Sequence, residues 1–435
     1  MGAFFGMRGT GDWAANEVLE NYRQGILKLY PNGSTILTAI TSMMPSEKND
    51  SCVYHWWEQS LPAQGGTFTA GQIYTDSAMT SAYVSGGLED AILYVKVAEA
   101  IADEFRPGLN CILRDASDVY VDCAAKVKAI DKNGASSRIT VKLLEADDGS
   151  TSHDLSDADT ILITGSSQPQ GSPIPDAVAY NPSRITNYSQ IFETSLDLSR
   201  NAMRQNLRTE DAYKKTKADA LEMHGVQMER SWIYSIPTEK TGDNGKLEYT
   251  TGGIKWFLKT YASANVLDYT LDTGSYAGKT WLEGGEDWMD DSLELLFRYG
   301  SDQKLCLCGS GALLGIQKLV KRNGNMQLVP GTSIGYGIKV TSWITSFGEI
   351  MLKTHPLLSY QPTDRYSMII IEPKNQLKYT YIDDTTFKPD ENFMKGGNSS
   401  IDGKKESWLT DAGLKMFHPS KGMLLYGVGQ DNSVA

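Results

Sequence analysis

One stretch constrains this chain more than any other: LRTEDAYKKTKADALEMHGVQMERSWIYS at residues 207–235, followed after a loop by TGGIKWFL at 251–258. Leu221, Met228 and Trp232, with Tyr213 and Leu207 upstream, fall on one apolar stripe, whereas Lys214, Lys215, Lys217, Glu222 and Glu229 lie mostly off it. The spacing predicts a helix of about 27 residues, which at about 1.5 Å per residue is a rod about 40 Å long. A rod of that length spans a whole domain, so the remaining elements must be arranged along it.

At 435 residues the chain is long enough for two or more lobes, at roughly 100–200 residues per domain. Its 53 acidic against 41 basic side chains give a net charge of −12, which argues against a protein whose main task is to grip phosphates. The cysteines Cys52, Cys111, Cys123, Cys306 and Cys308 are odd in number and scattered. They suggest neither a disulfide framework nor a zinc site, and point to synthesis in a reducing compartment. The start, MGAFFGMRGTGDW, lacks a charged leader and a long apolar core. Gly6 stands where a myristoylation signal needs Ser or Thr. No apolar run approaches the roughly 18–20 residues that cross a bilayer, so a soluble product is expected.

Leu19, Tyr22, Ile26 and Leu29 recur at helical spacing between Asp12, a candidate cap, and Tyr30. PNGSTILTAITSMMP then reads as a turn and a second short helix ended by Pro45, and SCVYHWWEQSLP as a strand whose Trp56 and Trp57 belong in an interior or an interface. Residues 63–180 change character, being rich in Gly, Ser, Thr and Asp, with strand-like pieces DVYVDCAAKVKAI, SRITVKLLEA and TILITG. The first two flank Asn133-Gly134, a hairpin signal. An acidic loop (147–159) is expected to be solvated, and strand edges in so polar a segment want partners. From Gly252 onward the pattern mixes the helix GGIKWFLKTY, the acidic-capped helix EDWMDDSLELLFRYG, the strand KLCLCG, the helix GALLGIQKLVKRNG and strands through YSMIIIEP.

Two motifs invite chemistry. LDTGSYAG carries the Asp-Thr-Gly-Ser of aspartic proteases, with Asp272 as the reactive carboxylate. Only one such loop occurs, so the preferred reading is a turn with Gly274 at positive φ. CGSGALLG, 308–315, sits between a strand and a helix, where a dinucleotide pyrophosphate would meet a helix N-terminus. No acidic residue closes a second strand about 20 positions later, and a helix capped by Ser310 with small residues for close packing is the better account. His55, His153, His224, His355 and His418 never pair at metal-ligand spacing, and no Gly-x-Ser-x-Gly elbow or phosphate-binding loop occurs. DDGSTSHDLSDAD breaks the calcium-loop pattern. Asn32 and Asn398 match glycosylation acceptors without a secretion signal beside them. Arg200, Arg204, Arg208, Lys214, Lys215 and Lys217 form a basic stripe whose neighbours Glu210, Asp211 and Glu222 favour ion pairing over nucleic-acid contact. No catalytic, cofactor-binding or metal-binding residue is assigned, and no enzyme activity is expected.

The order of these pieces resembles the major capsid proteins of tailed bacteriophages, which have the Hong Kong 97-type fold. NYSQIFETSLDLSRNA, ERSWIYS, GGIKWFL, LFRYGSDQKLCLCGSGALLGIQKL, FGEIMLKTHPLL, IIIEPKNQLKYTYIDD and SWLTDAGL are similar to the subgroup named for a long-headed podophage. That resemblance implies an α+β capsid subunit with an N-terminal arm and short helices at 1–50, a peripheral-domain strand at 51–62 and a β-rich insertion with the extended loop at 63–180. The peripheral domain with its spine helix would follow at 181–251, then the axial domain with returning peripheral strands at 252–435. It implies self-assembly into hexamers and pentamers around packaged double-stranded DNA, without sequence-specific binding. Portal, a separate scaffolding protein and a decoration protein are the implied partners, with no cofactor and no membrane, in a virion capsid made in the host bacterial cytoplasm. An encapsulin-like compartment shell and a soluble dinucleotide-binding oxidoreductase are the alternatives. Net acidity suits a container whose inner wall must not trap DNA.

Overall fold

Alternation governs the unit formed by Trp57–Ser183. Buried and more exposed residues take turns along Ile92–Val97, Leu109–Arg114 and Ser137–Leu143, the period-2 mark of strands with one dry face. The computed structural model describes residues 44–118, 122–147, 155–175, 177–204, 211–323, 328–334, 338–390 and 403–434. The helices expected before Pro45, and Leu207, Arg208, Glu210, His153, Asn32 and Asn398, therefore lie outside the described residues.

This unit holds a seven-stranded sheet in the order Gly65–Thr67, Thr160–Ser166, Leu109–Arg114, Asp122–Asp131, Ser137–Leu143, Ile92–Val97, Ile73–Tyr74. Val95, Leu113, Ala125, Ile139, Val141 and Leu143 are fully buried in its core. Asp122–Asp131 pairs antiparallel with Ser137–Leu143, the hairpin expected around Asn133-Gly134. Its connection is a 3-10 turn, Gly134–Ser136, entered with Gly134 at φ +53°. The Ser137 hydroxyl closes it by donating to the Gly134 carbonyl (2.8 Å) and accepting the Asn133 N–H (2.9 Å). The described ends of the acidic loop are not simply solvated: Leu155 is buried in the core, Asp159 accepts the Ala116 N–H at 3.0 Å and Asp147 the Tyr83 hydroxyl at 2.6 Å. Carboxylates that find donors there fix those ends.

The second unit comprises the chain up to Trp56 and Arg184 onward. Its rod is the helix Ala212–Tyr234, 23 residues or about 35 Å. The Asp211 side chain caps it by accepting the Tyr213 and Lys214 amides at 2.9 and 3.0 Å. Its buried face runs Ala220, His224, Met228, Glu229, Trp232 and Ile233. The expected stripe is thus displaced: Leu221 is 41% exposed and Glu229, expected outside, is fully buried. The inward line follows the i, i+4 series 220, 224, 228, 232; the two polar residues of the buried face, His224 on that line and Glu229 beside it, have partners inside.

That helix lies on a four-stranded sheet ordered Ser46–Lys48, Leu377–Lys388, Gly403–Met416, Gln190–Ser199. A seven-stranded sheet follows in the order Val266–Asp268, Met423–Tyr426, Met368–Ile371, Gln303–Cys308, Glu349–Thr354, Ile338–Ile344, Leu328–Ile334. Its central strands read as continuous apolar runs because both faces are covered. Leu305, Leu307, Ile369, Ile371 and Leu424 join the core beneath Trp232 and Phe257. Cys306, Cys308, Met368, Ile370, Met423 and Leu425 join a second core with Trp281, Trp288 and Ile316, residues of the helices Trp281–Phe297 and Ser310–Asn323. The first of these begins before the acidic run expected to cap it, because Thr280 and Glu283 form a capping box.

TGGIKWFL is explained by close approach. Gly253 is the N-cap of Ile254–Tyr261, and a Cβ there would stand 2.8 Å from the Ser231 carbonyl oxygen at the end of the long helix. The preceding Gly252 gives its N–H to Asn187 Oδ1 at 2.6 Å. Asn187, fully buried, donates in turn to the Leu414 carbonyl at 2.7 Å. The strand Val53–Glu58 pairs with Ser183–Tyr188. Its two tryptophans separate: Trp56 is 7% exposed and Trp57 64%. Adjacent strand residues point to opposite faces, so within one chain only Trp56 reaches the core.

Candidate functional site

The two motifs that invited chemistry are both filled by the chain itself. Gln303–Cys308 does lead into Ser310–Asn323, but the Gly311 and Ala312 amides donate to the Arg365 carbonyl at 3.0 and 3.1 Å. A pyrophosphate would need those same donors. A Cβ on Gly309 would lie 2.2 Å from the Arg365 carbonyl oxygen, one on Gly311 2.6 Å from the Tyr366 ring and one on Gly315 2.5 Å from Gly429 Cα. The glycines serve close packing. Ser310 is the first helical residue rather than the cap: the Gly309 carbonyl accepts the Leu313 N–H at 3.2 Å, and the Ser310 N–H donates to Ser359 Oγ at 3.1 Å.

Asp272 is likewise committed to structure. Its carboxylate accepts the Gly274 N–H at 2.8 Å and its carbonyl accepts Asn432 Nδ2 at 2.9 Å, an Asx turn. Gly274 does not need the positive φ expected of it; Gly278 has it, at +69°. The side-chain bond closes the turn without a left-handed residue at 274.

The remaining reactive residue types have structural partners. His55 Nδ1 lies 2.9 Å from Thr186 Oγ1, and His418 occupies a left-handed turn at φ +46°. Burial pushes the Cys111 and Cys123 thiols up to about 12, and burial next to Cys308 raises Cys306 well above the usual thiol range, the opposite of an activated nucleophile. Among the described residues no group of three or more His, Cys, Asp or Glu could hold a metal ion. On the basic stripe, Lys217 Nζ sits 3.4 Å from the centre of the Phe387 ring and 5.5 Å from that of Trp408. This is a cation–π seat rather than the helical ion pair expected.

What the geometry does build is a set of buried polar clasps, two of which, at His224 and Glu229, hold the long helix to its neighbours. His355 Nε2 is 2.6 Å from Glu229 Oε1, both side chains fully buried. The Leu357 N–H donates to His355 Nδ1 at 3.2 Å, so Nδ1 is the acceptor and Nε2 carries the proton given to the carboxylate. One turn back, His224 bridges Thr194 (3.0 Å) and Thr410 (2.8 Å) on two strands of the four-stranded sheet, and burial lowers its pKa. Lys255 reaches Asp364 at 2.6 Å; burial lowers the lysine's pKa against the pull of that carboxylate. Burial also brings Lys304 down to about 8, and its ammonium donates to the carbonyls of Tyr299 and Lys421 at 2.9 and 2.7 Å. None of these clasps was read from the sequence. A lone lysine inside GGIKWFL or KLCLC was the available signal, since buried lysine is rare unless paired.

Large apolar side chains stay at the surface in both units: Leu61 and Ile174 at 94%, Val84 and Leu88 above 70%, Ile191 at 65% and Ile236 at 61%. Such side chains are available for burial against other copies or partners. A scaffold whose reactive groups have partners within the chain, with large apolar side chains left at the surface, suits a structural subunit that associates with others.

A family model described as SU10 major capsid protein matches residues 7–429, and the chain belongs to that family. It is 22% identical over 400 residues to the major capsid protein of Pseudomonas phage PaMx41, covering 90% of this chain and 84% of that protein. Among solved structures it is similar to that of Mycobacterium phage Bobi (9% identity, 95% and 96% of the two chains, TM-score 0.43). It is also similar to the capsid of Myoviridae phage XM1 (9%, 94% and 96%, TM-score 0.40). It is a major capsid protein, a component of the shell of a phage head.

Proposed function

We propose that the chain is the repeated subunit of a Hong Kong 97-type head, assembling as hexamers and pentamers around double-stranded DNA. The observation that carries this reading is the family match over nearly the whole chain, residues 7–429. In it, the unit Trp57–Ser183 contains the extended loop that lies over a neighbouring subunit. The helix Ala212–Tyr234 is the spine of the peripheral domain, and residues from about 252 build much of the axial domain. The clasped helix suits a strut, since a long rod fixed at His224, Glu229 and Trp232 transmits force along its axis. The subgroup is that of the long-headed podophages, the subunit is made in the bacterial cytoplasm, and its partners are a portal, a separate scaffolding protein and a decoration protein. A net charge of −12 accords with a wall that does not hold DNA.

Negative-stain electron microscopy of the overexpressed protein, alone and with a scaffolding candidate encoded beside it, tests the reading. Closed shells or rings of capsomer size are the expected result. A monomer or dimer under every condition would overturn it, and an enzyme cargo in place of DNA would favour the compartment alternative.

A further inference from the structure

A second cluster of side chains lies away from every clasp described above. On the strand Gly403–Met416, Thr410 points to the long helix through His224, so the next residue, Asp411, points to the opposite face of the four-stranded sheet. There Asp411 stands directly across from Ile191 on one side and from Asp383 on the other, where the ladder shifts register between Tyr381 and Asp383. Ser189, one residue before the strand that carries Ile191, is 3% exposed and its Oγ has no hydrogen-bond partner. Asp411 Oδ1 is equally buried and equally without a partner. Burial pushes the Asp411 carboxyl up, the nearby Ser189 hydroxyl pulls it back, and Asp383 pushes it up further.

Two carboxylates thus face each other across a sheet, and neither makes an ion pair among the described residues. The buried Ser189 hydroxyl lies close to the Asp411 carboxyl. Like charges directly opposite on neighbouring strands destabilise a sheet, and an orphaned buried oxygen costs about 1–3 kcal/mol. A water would satisfy the orphaned atoms but leave the repulsion; a cation removes both. The donors are all oxygens, which select hard cations. Positions fixed by a sheet and a register shift form an irregular set, tolerated by calcium's six to eight flexible ligands but not by the near-ideal octahedron of magnesium. Asp383 is exposed, leaving room for water to complete the shell.

We propose that Asp383 and Asp411, with the Ser189 hydroxyl, bind a divalent cation of the calcium class on the sheet face turned away from the long helix. The cation pins the irregular strand Leu377–Lys388 to Gly403–Met416 and to the start of Gln190–Ser199.

The test is a terbium titration of the full-length purified protein, read as tyrosine-sensitised luminescence. Tyr54 is a suitable antenna because its hydroxyl feels the charge of Asp411. Saturable emission displaced by calcium at concentrations at least tenfold below those of magnesium is expected, with a tenfold or greater loss of affinity in Asp411→Asn. Asp383→Asn, at an exposed position, gives the same readout if the buried substitution impairs folding. Emission that calcium does not displace, or that both variants retain at wild-type affinity, overturns the site. Equal displacement by magnesium overturns the calcium assignment.

Discussion

Removing either half of the Glu229–His355 clasp should destabilise the subunit, and by unequal amounts. His355 Nε2 donates to Glu229 Oε1 at 2.6 Å with both side chains fully buried. In Glu229→Leu the orphan is one neutral N–H, worth about 1–3 kcal/mol. In His355→Leu the carboxylate stays in the core without its imidazole donor, a broken buried pair worth about 3–5 kcal/mol, and the helix Pro356–Tyr360 also loses the side chain that accepts the Leu357 N–H. With a urea slope of about 3 kcal/mol per molar, the midpoints should fall by about 0.3–1 M and about 1–1.7 M. The double variant should be more stable than His355→Leu alone, because no buried charge remains. The assay is urea unfolding of the unassembled chain followed by tryptophan emission, which Trp232 on the same helix reports. Equal losses in the two single variants, or a double variant whose loss is their sum, would refute the assignment of donor and carboxylate.

Other perturbations follow from the same contacts. Gly253→Ala should cost about 1–3 kcal/mol, read as a lower unfolding temperature, because its Cβ meets backbone at 2.8 Å. Gly309→Ala should lose stability in the same assay while neither it nor the wild type binds NAD in an equilibrium titration, since Arg365 fills that helix end. His224 has a folded pKa below its unfolded value of 6.5, by burial. Its contribution is therefore complete above about pH 6.5 and is lost as pH falls through the folded value; His224→Gln should flatten the fall in unfolding temperature between pH 7 and 5. Trp56→Ala should cost about 3–5 kcal/mol, while Trp57→Ala should leave the unassembled chain within about 0.5 kcal/mol and lower the yield of shells scored by electron microscopy.

Much of the framework was legible because local pattern and tertiary burial agree there. Asn133-Gly134 between strand-like runs marks its hairpin, KLCLCG its strand, and the apolar stripe within residues 207–235 its long helix. Patterning failed where a polar residue faces inward. Amphipathic reasoning counts every charge as solvated and so places Glu229 outside, while its partner His355 is 126 residues away. Trp56 and Trp57 read alike as interior or interface residues, and strand alternation sends only Trp56 to the core. The glycines of CGSGALLG read as packing residues from the small side chains around them, but Arg365 and Gly429, which they meet, cannot be found from spacing alone. The clasps are pairwise facts of the tertiary fold, and a single sequence shows at most one member of each as a charge out of place.

The pairing of Val53–Glu58 with Ser183–Tyr188 has a consequence for how such heads diversify. The chain leaves for the unit Trp57–Ser183 along one strand and returns along its neighbour, and everything between has a core of its own. A segment with adjoining entry and exit behaves as a cassette: it can be shortened to a turn, enlarged or exchanged for another sequence without rerouting the strands that carry it. Shell proteins sharing this frame can therefore diverge steeply between residues 57 and 183 while the clasped helix and its two sheets keep their connectivity.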